Sequence, residues 1–298
     1  MKNRLISLFI LFFVLVSYSN ANDYLDNNYS FGVIISKYDK IHQNKIKSVV
    51  KRISNQFQNL NGNKYFVDVS FLDDTKKLED NYVNYKKYNA IITYASFYLR
   101  DKERLKKNSQ YYFTFDYNKE FQQYVLLVNN KSNIKSIKDL KGKRFSTFVA
   151  NDNYADWLDY VTFKELHKSY KDILKSIKEV QSDSALVLDL YFNKSDFSVI
   201  RKSAFNDIVS LNPAIKKRVT VLKESEPIFL FGLGLIHKNT SKKIINSFNE
   251  IVENGTFDRD YQSLLELLGN VKIKRIYPED LNELEKFYDE YMELKRKY

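Results

Sequence analysis

The chain has 298 residues, 48 Lys and Arg against 37 Asp and Glu, and no cysteine. Lack of cysteine excludes a disulfide framework, a thiolate metal centre and a cysteine nucleophile, so an apolar core must hold the fold, which about 280 residues can supply. The net charge of +11 does not mark a nucleic-acid or membrane-surface binder, because the lysines are interleaved with acids rather than gathered into a patch.

Met1 to Ala21 begins with Lys2 and Arg4, runs apolar from Leu5 to Val16 and ends on the small residues Ser19 and Ala21. This is the pattern of a cleavable signal peptide, and its apolar run is shorter than the roughly 20 residues that cross a bilayer. Export to the periplasm is therefore expected. After the leader, Tyr29 to Ser36 (YSFGVIIS) reads as a buried strand, and Ile41, Ile46, Val49, Val50, Ile53, Phe57 and Leu60 form one face of a helix closed by Asn61-Gly62. Tyr65 to Leu72 predicts a second strand, Lys76 to Tyr88 a weaker helix and Asn89 to Tyr94 a third strand. Strands alternating with helices imply a parallel sheet with helical crossovers.

Phe121 to Val128 (FQQYVLLV) predicts another strand. In SIKDLKGKRFSTFVA one short helical turn precedes Gly142, which stops it, and a strand follows from Arg144 to Ala150. Glycine is scarce here, 7 in the whole chain, so its place between two lysines marks a required reversal. A helix is expected from Tyr154 to Tyr170, a strand at Ile177 to Gln181, a capped helix at Ser182 to Phe192 and a strand at Phe197 to Ile200. Val219 to Leu222 and Phe229 to His237 bracket Pro227. Three helices finish the chain: Ile244 to Val252, Tyr261 to Leu268, and one starting at Pro278 with Glu279 and Asp280 in its first turn and Lys295, Arg296 and Lys297 in its last. Leu281, Leu284, Phe287, Tyr291 and Leu294 give that last helix an apolar stripe to pack on the body.

Val128 to Phe148 (VNNKSNIKSIKDLKGKRFSTF), with its Ser-Ile-x-Asp-Leu-x-Gly-Lys signature, resembles the segment of type II periplasmic solute-binding proteins in which the chain enters the second lobe. SDSALVLDLYFNKSDFSVI resembles that family's following helix and strand, and ESEPIFLFGLGLIHKN its return crossing. Order and spacing are most similar to the phosphate/phosphite/phosphonate-binding branch of the substrate-binding proteins of ABC transporters. The resemblance implies an α/β, two-lobed type II periplasmic binding protein fold with two hinge crossings and a C-terminal helical extension. The expected boundaries are 1–21 signal peptide, 22–125 first lobe, 126–227 second lobe and 228–298 the rest of the first lobe with the C-terminal helices. Gly142 then shapes the entry to the second lobe as a helix-ending residue.

Open α/β sheets bind ligands beyond the carboxyl ends of strands, where helix N-termini offer N–H groups to anions. The candidate ligand-binding residues are accordingly Ser36, Tyr38, Tyr94, Ser96, Asn151, Asn153, Tyr154, Ser182, Asp183, Ser184, Arg201 and Ser203, each of which capping alone could explain. Where the phosphonate-binding branch carries a Ser-Thr-Ser-Gly-like run, this chain has NDNYAD (Asn151 to Asp156), and Asp152 would repel an anion there. Where the branch often has a histidine and a carboxylate, it has Asp183 and Arg201. Arg201 follows a strand and precedes Ser203, read as a helix cap, so its fixed charge can pair bidentately with an acidic group.

Catalysis is not expected. The 3 histidines, His42, His167 and His237, fall on a helix start, a helix body and a strand end with no carboxylate at motif spacing, and there is no phosphate-cradling glycine loop. Tyr111-Tyr112, read ahead of a strand, could be an iron-binding pair, but packing explains it better. No cofactor or metal is expected. The expected partners are a small anionic ligand, phosphonate-like or carboxylate, captured by hinge closure, and either an ABC permease or a membrane sensor such as a histidine kinase or cyclic-nucleotide synthase. The protein is expected to be a monomer with no nucleic-acid partner.

Overall fold

The computed structural model describes residues 28–33, 44, 47–48, 66–71, 80–84, 87–116, 121–148, 152–180, 182–230, 232–240, 242, 245 and 272–298. Two compact units emerge: Met1–Glu120 with Leu230–Asp280, and Phe121–Phe229 with Leu281–Tyr298.

In the first unit β1 (Asn28–Val33) pairs in parallel with β2 (Phe66–Phe71) and with β3 (Ala90–Thr93), in register Phe31 to Val69 and Gly32 to Ile91. The parallel sheet read from the alternation of strand and helix is thus present. Two short helices not foreseen in the sequence follow, α1 (Ala95–Arg100) and α2 (Lys102–Asn108), and they lead to an unforeseen strand, β4 (Ser109–Asp116). Tyr111-Tyr112 therefore lies inside a strand, not ahead of one.

The second unit is built on β5 (Tyr124–Asn129), whose six residues are all buried. A 3-10 turn (Ile137–Leu140) precedes β6 (Arg144–Phe148). Then come α3 (Asp152–Leu166), α4 (Tyr170–Ile173), β7 (Ser176–Val180), α5 (Asp183–Tyr191), β8 (Phe197–Arg201), α6 (Lys202–Leu211), a 3-10 turn (Pro213–Lys217) and β9 (Val219–Glu224). The strand order is β7-β6-β8-β5-β9; β6 is parallel to β7 and β8, while β5 is antiparallel to β8 and β9. Both faces of β5 are covered, which is why its sequence is a continuous apolar run. On one side Val125 and Leu127 pack with Val187, Leu190, Ile200, Phe205 and Val209; elsewhere Phe145 stacks on its cross-strand partner Phe197 at 4.9 Å.

Gly142 resolves the turn between β5 and β6. Asp139 caps the 3-10 turn by accepting from the backbone N–H of Lys135 (3.0 Å) and Ser136 (2.8 Å), and those bonds hold its carboxyl below the usual range. Gly142 follows with φ of +75°, a conformation that lacks the usual steric cost only for glycine, and its N–H bonds Ile173 O at 2.7 Å. Two residues later β6 begins, pinned by Arg144, whose guanidinium and backbone N–H all reach the carboxylate of Asp196.

Back in the first unit, β10 (Leu233–His237) inserts antiparallel between β3 and β4, and β11 (Lys272–Ile276) adds outside β4, giving the order β11-β4-β10-β3-β1-β2. Gly234 sits opposite Phe113, whose ring covers the space a Cβ would need. After a 3-10 turn (Pro278–Leu281) the chain ends in α7 (Asn282–Lys297).

α7 corrects the domain boundaries. Residues 281–298 group with the second unit, not with the first lobe as 228–298 had implied. The stripe of Leu281, Leu284, Phe287 and Tyr291 is buried. It packs on α3, with Phe287 edge-on to Tyr160 (4.9 Å) and Phe229 (5.1 Å). The Tyr291 hydroxyl donates to the buried carboxylate of Asp159 at 2.8 Å. The chain therefore passes between units at 280–281 as well as near 120 and 229. The leader, and the helices read over Ile41–Leu60, Ile244–Val252 and Tyr261–Leu268, lie outside the described residues apart from the single helical positions 44, 47, 48, 242 and 245.

Candidate functional site

Because β6, β7 and β8 are parallel, their carboxyl ends share one edge of the second unit's sheet, and α3, α5 and α6 each begin there. Three side chains from these three strand-to-helix junctions meet. The Arg201 guanidinium donates to Asp183 Oδ2 at 2.8 Å; the Tyr154 hydroxyl donates to Asp183 Oδ1 at 3.3 Å and accepts from the backbone N–H of Arg201 at 3.2 Å. The Arg201 and Asp183 side chains are 18% and 14% exposed, so Arg201 is neither the surface arginine that a lysine-rich chain suggests nor an uncompensated charge.

Tyr154 is fully buried. It lies in the first turn of α3, which begins two residues earlier than its sequence suggests, edge-on to Tyr124 at 4.9 Å. Tyr124 in turn stacks on Phe229 at 4.2 Å. Burial pushes the Tyr154 hydroxyl well above the usual phenol range and Asp183 adds to it, although Arg201 opposes, so the group is a neutral hydrogen-bond donor. It holds Asp183 through its hydroxyl proton and the Arg201 backbone through its hydroxyl oxygen.

Ser182 is the N-cap of α5, its hydroxyl accepting from Ala185 N at 3.1 Å; Ser184 is exposed on the first turn. Ser203 is not a cap, since Arg201 holds that position; its hydroxyl donates instead to Gln122 Oε1 at 3.3 Å. Gln122 exchanges both backbone bonds with Phe229, an isolated bridge that joins the two segments through which the chain enters and leaves the second unit. Lys202, next to Arg201, pairs with Glu224 at 2.6 Å, and Gln123 bonds the same carboxylate at 3.2 Å. Gln122, Lys202 and Glu224 are not among the residues expected from the sequence; the available signal was their place beside the strand ends at Tyr124, Arg201 and Glu224. Asp183 and Arg201, placed at equivalent points of consecutive strand-helix units, are each other's partners, a pairing that sequence separation conceals.

Of the first-unit candidates, Tyr94 is the N-cap of α1, and Ser96 lies within that helix, buried, with no partner for its hydroxyl. Ser36, Tyr38 and Asn151 lie outside the described residues, as does the side chain of Asn153. His237 is buried at the end of β10 with Tyr82 edge-on to it at 5.2 Å; His167 sits past the end of α3 with φ of +57°, not in the helix body. Tyr111 and Tyr112 are both buried on β4, and adjacent strand residues project to opposite faces, which does not suit a shared iron ligand pair. Among the described residues no group of His, Cys, Asp and Glu could hold a metal, and no helix is long and apolar enough to cross a membrane.

No curated protein matches the chain. Among solved structures it is similar to a binding-protein component of an ABC phosphonate transporter from Pseudomonas aeruginosa, at 14% identity and TM-score 0.58 over 90% of this chain and 87% of that one. It is also similar to a Xanthomonas citri protein bound to ATP, at 10% identity and TM-score 0.61 over 91% and 98%. A third is a Prochlorococcus marinus protein in complex with methylphosphonate, at 11% identity and TM-score 0.59 over 88% and 97%. These likenesses are of fold: α/β, two-lobed, of the periplasmic-binding-protein type. The family profile described as the phosphonate ABC transporter periplasmic substrate-binding protein matches residues 105–280. That span exceeds half the chain and contains Tyr154, Asp183 and Arg201, so the protein belongs to this family of periplasmic solute-binding proteins.

Proposed function

We propose that the protein captures a small anionic ligand, phosphonate-like or carboxylate, with a hinge movement coupled to binding, and delivers it to an ABC permease. The observation that supports this most is Arg201: a largely sheltered guanidinium at the carboxyl end of β8, aimed by Asp183 and anchored through its backbone by Tyr154. A planar, permanently charged fork held in one orientation suits recognition of an acidic group, and Ser182 and Ser184 at the start of α5 lie at the same edge. Delivery to a permease rather than to a membrane sensor is favoured by the family's description as an ABC transporter component; neighbouring genes for a permease and ATPase, as against a sensor kinase, test it directly.

A thermal-shift panel of phosphonates, phosphite, carboxylates, sulfonates, amino acids and nucleobases identifies the ligand, since about 100 times the dissociation constant stabilises by roughly 2.7 kcal/mol. Arg201→Ala is then expected to weaken the best ligand by about 1.5 kcal/mol or more, with Arg201→Lys restoring part of the loss. Unchanged binding by both variants rejects a ligand role for Arg201.

A further inference from the structure

We infer that Thr93 and Ser96 are the hydroxyls with which the first unit holds the ligand, by hydrogen bonds to its acidic oxygens; the inference rests on the solute-binding role proposed above. Thr93 is the last residue of β3, a strand parallel to β1. It therefore lies at the carboxyl end of the parallel part of the sheet, where open α/β sheets bind ligands. Ser96 follows in the first turn of α1. The two residues are only 2% and 3% exposed, and neither hydroxyl has a hydrogen-bond partner among the described residues.

A buried hydroxyl without a partner destabilises the fold, and most buried polar side chains avoid that cost. A threonine in this part of the sheet can avoid it. Leu233 of β10 stands opposite both Thr93 and Thr114, and the Thr114 hydroxyl donates to Gly232 O at 2.8 Å. Thr93, on the other side of Leu233, makes no such bond. Valine in place of Thr93 and alanine in place of Ser96 would fill nearly the same space without the cost. Two such hydroxyls three residues apart at one strand-to-helix junction are groups whose bonds are made in another conformation, which the hinge movement proposed above provides. Once uncovered, each donates one hydrogen bond and carries no charge. The pair therefore serves a carboxylate or a phosphonate oxygen alike.

Melting curves and titration calorimetry of the full chain test this with Thr93→Val, Thr93→Ser and Ser96→Ala. Without ligand, Thr93→Val is expected to melt about 2 °C or more above the parent, and Thr93→Ser not to rise. The binding probes are methylphosphonate, phosphite, acetate and β-alanine. For those that bind the parent, Thr93→Val and Ser96→Ala are each expected to weaken binding by about fivefold or more, with Thr93→Ser close to the parent. The loss should appear as faster dissociation; slower association alone would mark a shifted conformational balance rather than a lost contact, and overturns the inference. A Thr93→Val protein that melts at or below the parent's temperature shows the hydroxyl satisfied within the fold and overturns it too. So does unchanged binding by both Thr93→Val and Ser96→Ala. In these cases the solute-binding role stands and rests on the Arg201 variants. Absence of binding by all four probes overturns the inference as well, and if the wider panel is also silent the solute-binding role falls with it.

Discussion

Replacing Tyr291 by Phe removes one hydroxyl from the α7 stripe and leaves the ring that packs there. That hydroxyl is a proton donor at any physiological pH, since burial raises its pKa and Asp159 raises it further. Asp159 is buried and accepts from Ser169 Oγ (2.5 Å) and Tyr170 N (3.1 Å) on Oδ1, but its Oδ2 bond is to Tyr291. Losing a hydrogen bond to a buried charged acceptor costs about 1.5–3 kcal/mol. At a urea slope of about 2 kcal/mol/M, within the usual range, the unfolding midpoint should fall by about 1 M. Trp157 is the single tryptophan and lies on α3 two residues before Asp159, so its fluorescence reports the second unit alone. Asp159→Asn combined with Tyr291→Phe should cost less than the two changes added, because they share one bond. A Tyr291→Phe midpoint equal to the parent's, or additive costs, would refute the account of how α7 is held.

Gly234→Ala places a methyl within the Phe113 ring and should destabilise the first unit by about 1–3 kcal/mol, read by far-ultraviolet circular dichroism, with Phe113→Leu in the same chain recovering part. Gly142→Ala meets no neighbouring atom, so its cost is purely that of the left-handed backbone, about 1–2 kcal/mol, and Gly142→Asn should cost less; equal costs for the two variants would contradict this. Burial lowers the pKa of His237, outweighing a bond to the Val83 backbone. Stability of the first unit should therefore be complete above about pH 6.5 and decline as pH falls below that value. His237→Gln should flatten this part of the melting-temperature profile against pH.

What could be read from the sequence follows from how each element is stabilised. β5 was legible because both faces are buried and Tyr124 to Val128 is an unbroken apolar run, β8 because Phe197, Val199 and Ile200 are apolar and buried, and Gly142 because a left-handed turn leaves few alternatives to glycine. β11 was not, although KIKRI alternates: an edge strand rich in lysine resembles a solvated helix face. α1 and α2 are too short to show a period. At the candidate site the residue types were legible but their pairing was not, because Asp183 and Arg201 are joined only by the parallel register of β6 with β7 and β8. Tyr154 looked like a loop contact because the start of α3 could not be located from propensity alone.

The third passage of the chain, at 280–281, has a consequence for assembly. The second unit is closed by its last 18 residues, and Tyr291 meets Asp159 across a separation of 132 residues. Until residues 281–298 dock, Asp159 lacks its Tyr291 donor and the apolar face of α3 stays uncovered, and closing so long a loop carries an entropic cost that the docked contacts must offset. A molecule clipped ahead of Leu281 would expose that face and leave the Asp159 carboxylate without its Tyr291 donor.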